Sequence, residues 1–352
     1  MLPESPGLIA LFGSGETSLS GGRIFEALAR AVRPPLEMTL VETPAGFELN
    51  SQEVIQRVAE FARSRLHNYH PRLTIVPARK KGTDFSPDDP QVAAPLLRSN
   101  LIFLGPGSPT YAVRQLQGSL VWNIITARQR LGAALALASA ATIAAGALAL
   151  PVYEIYKVGE EPHWKAGLDL LAPFGLRLVF IPHWDNAEGG AGLDTSRCFI
   201  GRARYESLLA ELPDWASAVG VDEHTGLLID IAKRQCRVIG RGGVTLRCAQ
   251  NECRFEGDSV FEIERLGSFR MAEAGEGIPA QVWAQAQLED ERSIAAATSP
   301  SAVVLDLLER RSEARARREW ALADRLRQEI AEHGWTVVDT SSGSHLEPNS
   351  TD

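Results

Sequence analysis

The 352-residue sequence is short of positive charge, of cysteine and of long uninterrupted apolar runs, and each shortage closes off a class of protein. Lys and Arg number 36 against 44 Asp and Glu, a formal net charge of -8, so the field of the whole molecule repels nucleic acid. Any RNA contact would have to rest on a local basic patch. The cysteines, Cys198, Cys236, Cys248 and Cys253, are too few and too unevenly spaced for a disulfide framework, which points to reduced thiols and a cytoplasmic location. No paired short-spacing motif links Cys236, Cys248 and Cys253, so neither a metal nor another cofactor is expected. The start, MLPESPGLIALFGSGE, carries an acid and reaches glycine after a short apolar run, a pattern unsuited to a signal peptide or a membrane span. The longest apolar stretch, Leu131 to Val152, is alanine-rich and broken by Ser139, Thr142 and Gly146; it predicts a buried strand and helix rather than a membrane segment.

What is present is an ordinary globular composition, 45% hydrophobic and 23% charged, in a chain long enough for two domains. Apolar runs alternate with helical stretches: GLIALFG, a helix from Arg23 to Arg33, LEMTLVE, a helix from Val54 to Leu66, LTIVPA, then NLIFLGPG, GAALALAS and LRLVFIPHW. This rhythm predicts an α/β domain over 1–267 with a doubly wound, mostly parallel, flavodoxin-like sheet. From about Ala218 the texture turns to short alternating segments, GLLIDIA, CRVIG, GVTLRC, CRFEG and SVFEIE, expected to form a β-hairpin extension over 218–267. Residues 268–299 have little apolar patterning and predict a linker or a loosely packed helix. A small helical module is expected over 300–346: Val303, Val304, Leu307 and Leu308, then Leu322, Leu326 and Ile330, keep helical spacing, Gly334 stops the helix, and WTVVDT predicts a short strand before a frayed tail.

Doubly wound sheets bind ligands at the carboxyl ends of their strands, so the chemistry is sought there. In LGAALALASAATIAAG, Ser139 ends a buried strand and small residues open a helix; it is either an ordinary N-cap or a nucleophile on a tight elbow, with Ala140 offering its N–H to an oxyanion. In FLGPGSPTY, Gly105, Gly107 and Ser108 form either a plain turn or a cradle in which the backbone approaches a substrate. His183 follows the strand LRLVFI, where it is a structural histidine or a general base. Glu154 in LPVYEIYKVG is either a solvated surface residue or the carboxylate that orients the base. Asn186, Arg197, Arg202 and Arg204 lie in the polar run after His183 and are candidate substrate contacts, the arginines for a carboxylate.

The order of these parts resembles the class I glutamine amidotransferase-like fold in its serine-peptidase branch, which includes dipeptidase E and cyanophycinase. Ser139, Ala140, Ala141 and Thr142 are similar to that branch's Ser-Ala-Gly-Ala turn, Glu154 follows Ser139 by about the interval of the dipeptidase E acid, and Pro182, His183 and Trp184 match its Pro-His-aromatic segment. VGVDEHTGLLI resembles the Gly-Ile-Asp-Glu-Asn-Thr-Ala stretch of cyanophycinase-like proteins. The resemblance implies a Ser139, His183, Glu154 triad hydrolysing a peptide or small amide, one with acidic character. Leu137 and the missing glycine after Ser139–Ala140 depart from it, a leucine there being expected to crowd the turn. No cysteine lies near the elbow, which argues against glutaminase chemistry.

The C-terminal segment resembles the end of cysteinyl-tRNA synthetases through Leu307, Leu308, Arg311, Ala314, Arg315, Trp320, Ala323, Asp324, Arg327, Gly334, Asp339, Thr340 and Gly343. The adenylate-forming signatures of that enzyme are absent, so the resemblance implies a module without catalysis and raises tRNA as a partner. Seven arginines between Arg310 and Arg327 are as compatible with i,i+4 pairing on a solvated helix as with RNA contact. The alternative to a hydrolase is therefore a non-catalytic protein that holds a small acidic ligand in the same crevice and contacts tRNA or another partner through this module.

Overall fold

The computed structural model describes residues 5–248, 251–298, 300, 302–340 and 343–348. The chain divides into two compact units, Met1–Leu288 and Glu289–Asp352.

The first unit is built on strands whose alternate residues feed two cores. In β1 (Ile9–Phe12), β2 (Glu37–Val41), β3 (Arg72–Val76), β4 (Leu101–Leu104) and β5 (Ala134–Ala138) the chain runs parallel from strand to strand. β1, β4 and β5 are buried along their whole length, which accounts for their continuous apolar sequences. The alternation is still there: Ile9, Leu11, Ile102, Leu104, Leu135 and Leu137 face one core, and Ala10, Phe12, Leu101, Phe103, Ala134, Ala136 and Ala138 face the other. The small alanines of β5 make room for the ring cluster of Phe12, Phe25 and Phe103, whose centroids are 5.7 and 5.8 Å from that of Phe25. The helices Leu19–Ala31 and Ser51–Arg65 cover this second face with Ile24, Phe25, Leu28, Ile55 and Val58.

A second sheet packs on the first across the other core. It contains β6 (Leu148–Ala149), β7 (Lys165–Ala166), β8 (Leu178–Ile181) and β9 (Ser217–Val221), with β8 parallel to both β6 and β9. Leu176, Leu178 and Phe180 on one side and Val219 and Val221 on the other meet Leu135 and Leu137 in a single cluster.

The alternating segments after Ala218 extend both sheets. β10 (Thr225–Asp230), β11 (Gln235–Gly240) and β14 (Val260–Glu262) add antiparallel strands to the β1 edge, giving the order β14-β11-β10-β1-β5-β4-β2-β3. β12 (Val244–Cys248) and β13 (Asn251–Phe255) do the same for the second sheet, in the order β13-β12-β9-β8-β6-β7. The segment expected as a linker is in large part the helix Ala280–Thr298, whose Val282 and Ala286 are buried in the core of the first unit. Cys198 and Cys236 are buried free thiols and Cys253 is half-buried; the side chain of Cys248 lies outside the described residues.

The second unit consists of the helices Ala302–Ala316 and Trp320–Glu332 followed by the antiparallel pair β15 (Trp335–Thr340) and β16 (Gly343–Pro348). Val304, Leu307, Leu326, Ile330, Trp335 and Val337 make its core, as the helical spacing predicts, and Gly334 takes φ 85 where the helix ends. Part of the expected frayed tail, residues 349–352, lies outside the described residues. Among the described residues no helix is long and apolar enough to cross a membrane.

Candidate active site

The loops that follow β4, β5, β8 and β9 hold most of the candidate residues. Ser139 joins β5 to the short helix Ala140–Ala144 with φ 51 and ψ −108, a conformation that costs a non-glycine residue about 1–3 kcal/mol. The turn is held from below. The Thr142 hydroxyl lies 2.7 Å from the Leu137 carbonyl oxygen and 3.0 Å from that of Phe12, tying the ends of β5 and β1 together. Leu137, expected to crowd the turn, is buried in the core between the two sheets, because side-chain direction alternates along β5. Only the backbone of the bend carries the strain.

The Ser139 Oγ is 3.0 Å from His183 Nε2. His183 follows β8, itself has φ 50, and is anchored by its N–H donating to the Gly13 carbonyl at 3.1 Å. Its other ring nitrogen, Nδ1, is 2.9 Å from Glu223 Oε1, which assigns the Nδ1–H tautomer and leaves Nε2 free to accept from the serine hydroxyl. Glu223 follows β9. The Asn186 amide donates to the same carboxylate oxygen at 3.0 Å, and the Glu223 backbone N–H donates to Asp185 Oδ1 at 2.7 Å. The hydrogen bond from His183 holds the Glu223 carboxyl below its ordinary pKa against the opposing effect of burial, with Asn186 helping.

The acid at this position is therefore Glu223, not Glu154. Glu154 opens the π-helical turn Glu154–Val158, where Lys165 Nζ lies 3.4 Å from its Oε1. Burial raises its pKa, but hydrogen bonds from Thr110 and its own backbone together with Lys165 leave it lowered overall. Sequence spacing after Ser139 pointed to Glu154, but the strand order brings β9 beside β8, so a residue past the end of β9 meets one past the end of β8. The signal for Glu223 was present in VGVDEHTGLLI: a carboxylate two residues past a buried strand, as His183 stands two residues past β8.

The remaining candidates divide. Gly107 has φ 144, and a Cβ on it would fall 2.0 Å from the Pro44 carbonyl oxygen, so the loop after β4 closes on the loop after β2 only because this residue is glycine. The loop that holds Gly105 ends at Ser108, whose Oγ accepts the Tyr111 N–H at 3.2 Å and caps the helix Pro109–Leu116. Ser108 is thus committed to the fold, which corrects its reading as a substrate contact. Ala140 starts the short helix that follows the serine. Asn186 is also corrected: it is buried, and it orients Glu223 rather than facing a substrate.

Arg197 is corrected in the same way. The Arg197 guanidinium lies 3.8 Å over the Trp184 ring, and its Nη1 donates to the Trp184 carbonyl at 2.9 Å; burial lowers its pKa. Arg202 and Arg204 point to solvent from the helix Arg202–Ala210. Only the backbone N–H of Arg202 is engaged, donating to Asp194 Oδ2 at 2.8 Å; hydrogen bonds from Ser196 and from that N–H bring the Asp194 carboxyl to about 2. The Trp184 ring in turn packs where Gly220 of β9 has no side chain, since a Cβ there would sit 2.3 Å from it.

Chemically, a hydroxyl on a strained turn, an imidazole acceptor and a carboxylate on the far nitrogen can generate an alkoxide-like nucleophile without a metal ligand set. Among the described residues no group of three or more His, Cys, Asp or Glu side chains is disposed to hold a metal ion.

With this geometry in view, the comparisons with known proteins fall on separate parts of the chain. The first unit has the fold of a peptidase from an acI-B1 Actinobacterium, which aligns with a TM-score of 0.59 and 18% identity over 74% of this chain and 98% of that one. Residues 301–345 match the cysteinyl-tRNA ligase anticodon binding domain. A cysteine–tRNA ligase of Rubrobacter xylanophilus is 51% identical over 43 residues, 12% of this chain and 9% of that protein. The chain thus spans under a tenth of the length of the curated relative it matches.

Proposed function

We propose that this protein is a serine-type hydrolase that cleaves a peptide or small amide through an acyl-enzyme. The observation that carries the proposal is the 3.0 Å contact between Ser139 Oγ, on its strained turn, and His183 Nε2. His183 takes the hydroxyl proton as Ser139 Oγ bonds to the substrate carbonyl carbon, and Glu223 holds the imidazolium that forms. The carbonyl oxygen becomes an oxyanion and rests on the N–H groups of Ala140 and Gly107. His183 then passes its proton to the leaving nitrogen as the C–N bond breaks. A water, deprotonated by the same imidazole, hydrolyses the Ser139 ester and restores the free hydroxyl. Each role differs from a merely structural one in that it requires a reactive serine. A fluorophosphonate probe should label the wild type at Ser139 and leave Ser139→Ala unlabelled; an unlabelled wild type removes the hydrolase reading.

The match of residues 301–345 to an anticodon-binding domain favours a second role for the C-terminal unit, contact with tRNA. Several of its arginines are engaged internally: Arg311 and Arg315 with Asp339, Arg310 with Asp306 and Arg317 with Glu313. Arg325, Arg327 and the 57% exposed Trp320 stand on the surface of the helix Trp320–Glu332 and offer charge and a stacking face. Binding to tRNA that weakens with salt and disappears on deleting the residues after Pro300 supports this role. Equal binding by the full and shortened chains removes it.

A further inference from the structure

Beside the imidazole the chain does something costly that the triad itself does not require. Arg197, Cys198 and Phe199 have φ of 59, 61 and 68, three consecutive non-glycine residues in the left-handed region. Isolated residues of this kind are uncommon and runs of them more so, and strain of this sort gathers at functional sites. The backbone of the run is fastened to the segment that bears the base: Arg197 N–H donates to the Trp184 carbonyl at 3.0 Å and Cys198 N–H to that of His183 at 3.1 Å. The left-handed turn delivers the Phe199 ring to the imidazole, with 5.3 Å between centroids and 49° between planes. On its other side Phe199 meets Tyr156, 5.9 Å away at 32°, whose ring is 42% exposed. Tyr156 stands on the π-helical turn Glu154–Val158, a form of helix that recurs at functional sites.

We infer that Phe199 and Tyr156 form a subsite for an aromatic group on the leaving side of the scissile amide. The inference rests on the hydrolase reading above and deepens it. Ser139 and the N–H of Ala140 fix where the carbonyl lies. The proton that departs with the product amine comes from His183 Nε2, so that amine and its substituent must lie against the imidazole and whatever lines it. What lines it is a half-buried phenylalanine continued outward by an exposed tyrosine. A ring on the leaving group adds to the tilted aromatic row that these two begin. Arg197 offers no competing carboxylate grip in this corner, since it is held over Trp184.

The test uses the full-length protein and peptide pools that vary on the acyl side and carry Phe, Leu or Gly on the leaving side. The wild type is expected to turn over the Phe pool with kcat/KM at least about tenfold above the Gly pool. Tyr156→Ala and Phe199→Leu should bring that ratio close to one, while fluorophosphonate labelling of Ser139, which needs no aromatic leaving group, proceeds at the wild-type rate. Tyr156 is exposed, so its variant remains informative if changes at Phe199 disturb folding. A wild-type ratio near one overturns the inference, as does a ratio that survives both substitutions. So does a uniform fall in labelling and in every pool with Phe199→Leu, because Phe199 would then serve only to orient the base. Absence of labelling in the wild type is a different failure, that of the hydrolase reading itself.

Discussion

Ser139 in the first unit and Arg311 in the second are both polar residues at odds with their surroundings, and the two conflicts are resolved in opposite ways. At Ser139 the conflict is kept: the backbone stays strained, and the hydroxyl faces the ring nitrogen of an imidazole. At Arg311 the charge is met by a carboxylate, although its buried Nε has no hydrogen-bond partner among the described residues. Its side chain is 4% exposed, its Nη1 and Nη2 reach both oxygens of Asp339 at 3.0 and 2.9 Å, and Ser344 Oγ lies 3.2 Å from Nη1. Arg311 first, then Ser344, holds the Asp339 carboxyl well below the usual range. A fold under selection for stability alone satisfies its buried charges and relaxes its turns. The contrast therefore separates a place where the chain retains strain from one where it closes a small core.

The sharpest way to break the comparison is Ser139→Ala. It should abolish labelling and hydrolysis while changing stability by no more than about 1 kcal/mol, since it removes a single hydrogen bond and keeps the strained backbone. A folded variant that still turns over substrate at the wild-type rate would end the argument. Next is Glu223→Gln, which keeps the shape but loses the charge that stabilises the imidazolium, and kcat should fall by roughly 10³–10⁴-fold with KM little changed. The same variant has a stability signature. Glu223 ionises below its ordinary 4.5, so its contribution is present above that value and is lost as pH falls through the lowered folded pKa. The stability gap between wild type and Glu223→Gln, measured by denaturant titration, should be constant near neutrality and shrink in acid.

In the second unit the expected effect is structural. Arg311→Ala removes charged hydrogen bonds from a buried position and should cost the unit about 2–3 kcal/mol, read as faster amide exchange across residues 302–340. Labelling of Ser139 should not change. Ser139→Gly tests the other half of the contrast: glycine accepts a positive φ, so the variant should be inactive yet more stable by about 1 kcal/mol. A destabilised glycine variant would mean that the bend is not strained.

What could be seen in the sequence follows from what each element depends on. The strands of the parallel sheet were legible because burial on both faces demands unbroken apolar runs, as in IALF, LIFL and ALALA. The C-terminal helices were legible because Leu307, Leu326 and Ile330 keep the spacing of a buried face. Ser139 and His183 could be picked out because each follows such a run. Their third partner could not be chosen by spacing, because which carboxylate meets His183 depends on strand order, and β9 joins β8 only once the second sheet is assembled. Arg197 and Asn186 misled for a related reason. Composition marks a polar loop as a place for ligands, but here the loop spends its polar groups on itself: Arg197 on Trp184, Asp194 on Ser196 and the Arg202 N–H, and Asn186 on Glu223.

The smallest expected effect is the one that decides between the two carboxylates. Glu154 has Lys165 and Thr110 as its partners and none of the imidazole's hydrogen bonds among those described, and its Oε2 is buried without a partner. Glu154→Gln keeps the volume and removes only the charge. Turnover and labelling should therefore stay within about twofold of wild type, against the thousandfold or greater loss expected for Glu223→Gln. If the two variants lose activity alike, the carboxylate at 154 reaches the chemistry through the turn that carries Tyr156, and the aromatic wall beside His183 would have to be understood as part of the catalytic machinery rather than as a surface for the leaving group.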